Sequence, residues 1–537
     1  MSPPVSEHFN AASYLVERRL LAGDADKVAA RGSASLTYAE LDGLSGDVAA
    51  GYRRLGLRPD DRVMLVMSDD VAMLAAILGA FRAGVVAVPV STMLNGAELG
   101  KVLTDSGARG LVCTHEFAGV VGQALATAPD VAHVVLDGAG DLPVPDSATL
   151  HSWEDFCADG AAAPEVSRAV AATEDDSWAL WLYTSGTTGV PKAAMHRHAN
   201  IRHVCETYGD QVLGIRADDS TLSVAKMFFA YGIGNSVFFP LSVGATTVLE
   251  PRRPTPDVIH ERLAEQQPTL FFGVPTFYAA LLASDLPDDA FSSVRLAASA
   301  GEPLPAPLLR RFTERFGVEI IDGIGSTEAL HIFLSNRPGD IRPGTTGVPV
   351  PGYEVELRTA DGALVEPGEP GALHVRGESN ALGYWRRVDA SRQVFKGEWL
   401  STGDTYVCSD EGYYTCLGRN GDMLKAGGIW VSPAEVESRL LEHPQVRQAA
   451  VVGRADLDGL DKPVAVVVAD DDVDEATLVA WCRDGLAHFK APRQVVFVDD
   501  LPKTATGKLQ RFKVRDLVAA PESAPELDVQ PVLPSVT

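Results

Sequence analysis

Two apolar periods alternate along the chain. Residues 61–67 carry the near-continuous apolar run of a strand buried on both faces. Residues 71–82 return to helical spacing, and 85–88 form another short apolar strand. Ahead of them, Thr37-Tyr-Ala-Glu40 places Thr at an N-cap with Glu three residues later, a capping box that opens a helix to about Leu55. Strands alternating with helices imply a parallel sheet joined by crossover helices. Residues 137–164, rich in Ala, Asp and Pro, read as an irregular connection. The middle third repeats the rhythm, with strands expected at 178–183, 270–275, 294–298 and 319–322 and a helical pattern after the turn at 183–192. From 347 to 416, strand character and Gly/Pro turns predict a β-rich subdomain.

Beyond Arg419 the pattern is that of a small α+β domain. Ser432-Pro-Ala-Glu435 reads as a second capping box, with Pro at the first helical position and the helix ending near His443-Pro444. Strands at 448–453 and 463–468, a helix from Glu475 to about Leu486 and a strand at 494–498 follow. The tail after Arg515 has four acids, four prolines and no base, a composition that predicts disorder.

Composition narrows the function. In 537 residues, 46 basic and 72 acidic side chains give a net charge of −26, which argues against a nucleic-acid surface and poses a puzzle for any anionic ligand. At about 100–200 residues per domain the length suggests roughly three or four domains or subdomains. The six cysteines form no C-x-x-C pair and no zinc spacing, so a reduced cytoplasmic chain is expected. No secretory signal opens the sequence, and the most apolar stretch, 73–90, is broken by Arg82, Gly84 and Pro89, which excludes a membrane span there.

The strongest chemical signal is Tyr183-Thr-Ser-Gly-Thr-Thr-Gly-Val-Pro-Lys192. Backbone amides of a Gly-rich loop (Gly186, Gly189) wrap an anion, the hydroxyls of Thr184, Ser185, Thr187 and Thr188 add donors, and Lys192 adds a charge. It is not a Walker loop, because Gly100-Lys101 and Gly507-Lys508 are followed by Val and Leu where Ser or Thr is required.

This loop, together with Ile324-Gly-Ser-Thr-Glu328, Ser401-Thr-Gly-Asp404, Gly418-Arg419 and Pro502-Lys-Thr-Ala-Thr-Gly-Lys508, resembles the adenylate-forming superfamily of acyl- and aryl-CoA ligases, peptide-synthetase adenylation domains and firefly luciferase. The order is kept and the likeness runs from about residue 10 to 517. It implies an α/β fold: a large domain of α/β subdomains plus a β-rich one over 1–419, a small mobile α+β domain over 420–517 and a disordered tail over 518–537. By resemblance Lys508 is the adenylation lysine, Glu328 holds Mg²⁺, and Thr327 touches the nucleotide phosphate. Ile324 and the facing Gly301, Glu302 and Pro303 take the adenine, Asp322 and Gly323 belong to the same nucleotide site, and Asp404 and Arg419 take the ribose. Ile324 departs from the aromatic usual at its position. Lys425, in Leu424-Lys-Ala-Gly-Gly428, is implied to act in the thioester step.

Asn420-Gly421 has two readings. It is the commonest hairpin turn, flanked by 413–417 and 423–425. By resemblance it is the interdomain hinge, with Gly421 where Asp or Lys is usual.

The run Phe228-Phe-Ala-Tyr-Gly-Ile-Gly-Asn235 has the aromatics of an apolar slot and two glycines that would let backbone approach a flat ligand. The stretch 323–335, with 347–352 and 497–512, resembles benzoate-CoA ligases. That likeness puts Tyr231 at an aromatic gate beside Ala230 and Gly232, with Gly325, His331 and Ile332 bordering the ring. The expected reaction is ATP + aromatic carboxylate + CoA to aryl-CoA, AMP and diphosphate, through an aryl-adenylate. Benzoate is the first choice, and hydroxybenzoate, salicylate and anthranilate stay open. Loading of a carrier-protein phosphopantetheine is the chemical alternative, and a nucleotide-binding protein without turnover the alternative of another class. Expected partners are the acid, ATP, Mg²⁺ and CoA, with no nucleic acid or membrane; a homodimer stays open. The basic run Lys490, Arg493, Lys503, Lys508, Arg511, Lys513 and Arg515 would supply local positive charge.

Overall fold

The computed structural model describes residues 8–185, 191–419, 422, 424–426, 429–455, 461–470, 472–488, 490–503 and 509–518. The chain divides into two compact units, Met1–Asn420 and Gly421–Thr537.

In the first unit the local signals act as read. Thr37 Oγ1 accepts from the Glu40 amide at 3.2 Å and Glu40 Oε2 accepts from the Thr37 amide at 2.8 Å, opening helix Tyr38–Arg54. Strand Arg62–Val66, helix Val71–Ala83 and strand Val86–Pro89 form the expected parallel βαβ unit, with the helix buried nearly all round. They sit in a seven-stranded sheet ordered Thr149–Ser152, His133–Asp137, Gly110–Thr114, Arg62–Val66, Val86–Pro89, Trp178–Ser185, Pro191–Arg197. All pairs are parallel except the last. A second, nine-stranded sheet has parallel neighbours Ser220–Ser223, Leu270–Gly273, Leu296–Ser299 and Ile320–Gly325 at its centre. The strands Glu354–Arg358, Gly371–Arg376, Trp399–Cys408 and Tyr414–Arg419 build an antiparallel sheet, the β-rich portion.

Two expectations are corrected. Residues 137–164 are not simply connection: Thr149–Ser152 extends the sheet in parallel beside His133–Asp137, and Ser152 caps helix Trp153–Ala161. The Ala/Asp-rich composition hid a Ser-x-x-Asp start signal. A strand, not a helix, follows the 183–192 turn. Pro191–Arg197 pairs antiparallel with Trp178–Ser185, and the helix begins only at His198. Ala193, Ala194 and His196 are buried against the sheet, so packing overrode a short run with helical spacing.

The second unit has a two-stranded ribbon, Leu424–Ala426 with Ile429–Val431, and a three-stranded sheet of Val446–Ala455, Asp461–Ala469 and Gln494–Phe497, packed with helices Pro433–Leu441, Glu475–Gly485 and Arg511–Val518. Only half of the second capping box forms. Ser432 Oγ accepts from the Glu435 amide at 3.3 Å, while the Glu435 carboxylate is taken by Lys490 at 2.6 Å. Residue 515 does not end the order, since the last helix runs to Val518; 519–537 lie outside the described residues. All six cysteines are free. Among the described residues no helix is long and apolar enough to cross a membrane.

Candidate functional site

In open parallel sheets, ligands gather beyond the carboxyl ends of the strands. Here the ends of Leu296–Ser299 and Ile320–Gly325 lie side by side, with Ser299 opposite Asp322. The first is followed by Gly301, Glu302 and Pro303, and the second by the 3₁₀ turn Thr327–Ala329. Gly301 has φ +94°, a left-handed turn that glycine tolerates, and Glu302 accepts the Thr276 hydroxyl at 2.8 Å. Gly323 and Gly325 lie close against the antiparallel neighbour strand Ile332–Ser335. A Cβ on Gly323 would stand 2.7 Å from the Leu334 carbonyl oxygen, and one on Gly325 2.5 Å from that of His331. Ile324 is half-buried at the strand end.

The phosphate-loop root joins this turn through residues that the sequence motifs did not flag. Thr184 stands opposite Lys192 in the hairpin, and Ser185 opposite Pro191. Residues 186–190, with Gly186, Thr187, Thr188 and Gly189, lie outside the described residues, as does the Ser185 side chain. Segment 382–385 adds to the free edge of Pro191–Arg197: the Leu382 amide donates to Met195 O, the Met195 amide to Gly383 O and the Trp385 amide to Ala193 O at 2.9, 3.1 and 3.0 Å. That addition covers an exposed sheet edge and carries Tyr384 inward. The Tyr384 hydroxyl donates to Glu328 Oε1 at 2.6 Å, and Lys192 Nζ lies 5.5 Å from the Tyr384 ring centre. Burial and the neighbouring carboxylate push the Tyr384 hydroxyl well up, so it remains a donor. Asp105 fixes the same region from behind, accepting Tyr183 Oη at 2.8 Å and Arg387 Nη2 at 2.5 Å on its carboxylate. Asp404 and Arg419 face each other across neighbouring strands, with Arg419 Nε 2.8 Å from Asp404 Oδ1.

The run from Phe228 to Asn235 is largely helical: Ala230–Ile233 runs into a π-helical turn, Gly234–Phe238. On the side where a Cβ would stand, both glycines are already packed against protein atoms. A Cβ at Gly232 would collide with the carbonyls of Lys226 and Ala225, and one at Gly234 with the His331 ring. The Tyr231 hydroxyl donates to Ala298 O at 3.0 Å, a carbonyl that Tyr278 also uses at 2.7 Å. His331 is 2% exposed, caged by Tyr208, Tyr231 and Phe239. Its Nε2 faces two acceptors, Tyr231 O at 3.4 Å and Asn235 Oδ1 at 3.3 Å, which assigns the proton to Nε2. Nδ1 is then a buried acceptor with no partner among the described residues. Burial pulls the imidazole down to about 3, so it is neutral at ordinary pH. Ile332, 1% exposed, is paired with Gly325.

Comparison with known proteins places these features in a family. The AMP-binding enzyme model matches residues 17–385, and that of the AMP-binding enzyme C-terminal domain matches 435–508. The chain belongs to the AMP-binding enzymes. Benzoate-CoA ligase of Thauera aromatica is 44% identical over 526 residues, covering 96% of this chain and 98% of that protein. A solved benzoate CoA ligase from Burkholderia xenovorans LB400 superposes with TM-score 0.86 at 46% identity, over 94% of this chain and all of that one. A solved anthranilate CoA ligase in complex with anthranoyl-AMP gives TM-score 0.89 at 37% identity, over 96% of this chain and 98% of that one.

The small unit of this AMP-binding enzyme corrects the charge reading. Lys490 pairs with Glu435 at 2.6 Å, Arg511 with Glu437 at 2.6 Å, Lys503 with Asp500 at 3.2 Å, and Arg515 with Asp422. The partners Glu435, Glu437 and Asp422 come from outside the basic stretch, so counting along the sequence missed them. Lys508, Gly421 and Gly428 lie outside the described residues, as does the Lys425 side chain. Tyr414–Arg419 pairs with Trp399–Cys408 and Leu424–Ala426 with Ile429–Val431, and the Asn420-Gly421 dipeptide between them lies outside the described residues.

Asp322 gives this AMP-binding enzyme a pH signature. It is 3% exposed, and burial pushes its carboxyl up to about 8. The folded state therefore holds a proton that the unfolded state releases near pH 4. That contribution to stability is complete below about pH 4 and is lost as pH rises to about 8. Asp322→Asn cannot ionise, so it should gain on the parent by about 1.4 kcal/mol per pH unit across that window and level off above it. Denaturant unfolding at pH 5, 7 and 9 measures the gap; a gap independent of pH rejects the assignment.

Proposed function

We propose that the chain is an AMP-forming benzoate-CoA ligase, joining ATP, benzoate and CoA into benzoyl-CoA, AMP and diphosphate. The full-length likeness to benzoate-CoA ligases at 44% and 46% identity carries this reading. The convergence of Lys192, Tyr384 and Glu328 beside the adenine-side strand ends supports it. It favours free CoA over a carrier protein, because both of those relatives are CoA ligases by name.

The roles assigned to single residues belong to the same proposal. The amides and hydroxyls of 184–189 and Lys192 bind the phosphates, Asp404 and Arg419 the ribose, and Asp322 to Ile324 with Gly301 to Pro303 the adenine. Mg²⁺ takes hard oxygens, commonly one or two carboxylates with phosphate oxygens. Glu328 suits it: one carboxylate oxygen is oriented by the Tyr384 hydroxyl. Bound there, the ion would neutralise phosphate charge as the carboxylate approaches. Thr327 orients the phosphate, Lys508 stabilises the charge that builds at phosphorus, and Lys425 with Gly428 serves the thioester step after rotation about Gly421. Ala230, Tyr231, Gly232, Gly325, His331 and Ile332 border the ring.

A CoA-dependent AMP-release screen over benzoate, its hydroxy and amino derivatives, cinnamate and medium-chain fatty acids tests the function. Benzoate should give the highest kcat/KM, with small ring substituents rejected by only about 10–200-fold. A preference for fatty acids overturns the aryl reading, and AMP release that needs a carrier protein instead of CoA favours the alternative.

A further inference from the structure

Three consecutive carbonyls of the Thr327–Ala329 turn are each taken by a group from elsewhere in the fold. Thr327 O faces His196 Nε2 at 2.8 Å, Glu328 O accepts the Ala381 amide at 2.7 Å, and Ala329 O accepts the Ser379 hydroxyl at 2.7 Å. The Tyr384 hydroxyl holds the Glu328 carboxylate itself. His196 and Ser379 are both fully buried.

The hydrogen-bond directions follow from the partners. Asn200 Oδ1 takes the Arg197 Nε–H at 3.1 Å and its Nδ2 donates to Ser379 O at 2.9 Å, which fixes the amide. The same Nδ2 meets His196 Nδ1 at 3.0 Å, so Nδ1 is the acceptor and Nε2 carries the proton donated to Thr327 O. Ser379 spends its proton on Ala329 O, so Tyr353 donates to Ser379 Oγ at 2.6 Å. The chain Arg197–Asn200–His196 and the pair Tyr353–Ser379 thus converge on one turn. Burial pulls His196 down to about 4, which keeps it neutral at working pH.

The next residue shows what this grip sustains. Leu330 has φ +67° and ψ −35° and is fully buried. A bulky residue in that region costs of order 1–3 kcal/mol and persists only where its surroundings over-determine it. It lies two residues after Glu328 and directly before His331.

We infer that His196, oriented by Asn200, and Ser379 are positioning residues for the Thr327–Glu328 turn, holding the acidic side chain where a divalent cation bound with nucleotide phosphate needs it. This rests on the reading of Glu328 as the Mg²⁺ carboxylate. Groups that orient a metal's ligands commonly change metal affinity or activity by 10–100-fold when removed.

The test is Mn²⁺ binding followed by electron paramagnetic resonance on the full chain, with the α,β-methylene analogue of ATP present, together with the Mg²⁺ dependence of adenylation. His196→Leu should weaken Mn²⁺ binding and raise the half-saturating Mg²⁺ by about 10–100-fold. His196→Gln, whose amide can donate to Thr327 O and accept from Asn200, should restore most of it. Ser379→Ala, a small change that serves even where His196→Leu fails to fold, should move both readouts the same way by less. Unchanged Mn²⁺ affinity in Ser379→Ala and His196→Leu, or equal impairment of His196→Leu and His196→Gln, overturns the inference. Glu328→Gln measured alongside separates the two readings. If it weakens Mn²⁺ binding and the positioning variants do not, only the inference fails; if it leaves binding unchanged, the metal reading fails and takes the inference with it.

Discussion

Replacing Lys508 with alanine lowers aryl-adenylate formation by about 10²–10³-fold, the cost of removing one donor from a developing anion. The step brings a carboxylate against the α-phosphate of ATP, so two anions meet in a chain that already carries a net −26. Lys490, Lys503, Arg511 and Arg515 each have an acidic partner. The same variant should keep much of its thioesterification of preformed aryl-AMP, because in that step the thiol attacks the acyl carbonyl carbon, the C–O bond to AMP breaks, and phosphorus is not the centre attacked. Single-turnover measurement of the two half-reactions checks this, and equal losses in both reject the role.

The second large effect is on folding and on the acyl segment together. Gly232→Ala adds a methyl group that meets the Lys226 carbonyl oxygen and stands 2.5 Å from that of Ala225. Both are backbone atoms, so no rotamer change relieves the clash and the Ala230–Ile233 turn must shift. The expected loss is about 1–3 kcal/mol, with a raised KM for benzoate because Tyr231 moves with the turn. Gly119→Ala is the matched control. It lies in helix Ala118–Leu125 with no atom within 4 Å of the added Cβ, so the same substitution should stabilise by about 0.5–1 kcal/mol. Denaturant midpoints of the two variants should move in opposite directions. If Gly232→Ala is neutral or stabilising, the close-approach account of that glycine is wrong.

Much of the architecture was legible because its signals are local. The Thr37 capping box, the apolar run at 61–67 and the small-domain strands each declare themselves within a few residues. The misreadings at 149–161 and 191–197 arose where sheet packing decided between helix and strand. At Gly232 and Gly234 the space a Cβ would take is filled by the protein's own carbonyls and by His331. A sequence states that a side chain is missing, but not what occupies the space.

The same division holds for the site. The sequence by itself determined the reaction class. Thr184 to Lys192, Thr327-Glu328, Asp404, Arg419 and Lys508 stand in the order that the resemblance to adenylate-forming enzymes implies. It also carried the net charge of −26, which speaks against a nucleic-acid surface. Only the tertiary structure decided which groups hold those motifs in place. Tyr384 reaches Glu328 across 56 residues, and His196 reaches Thr327 across 131. It also decided that most of the C-terminal cations answer to local acids. Such contacts follow from strand order and edge pairing, and no spacing along the chain encodes them.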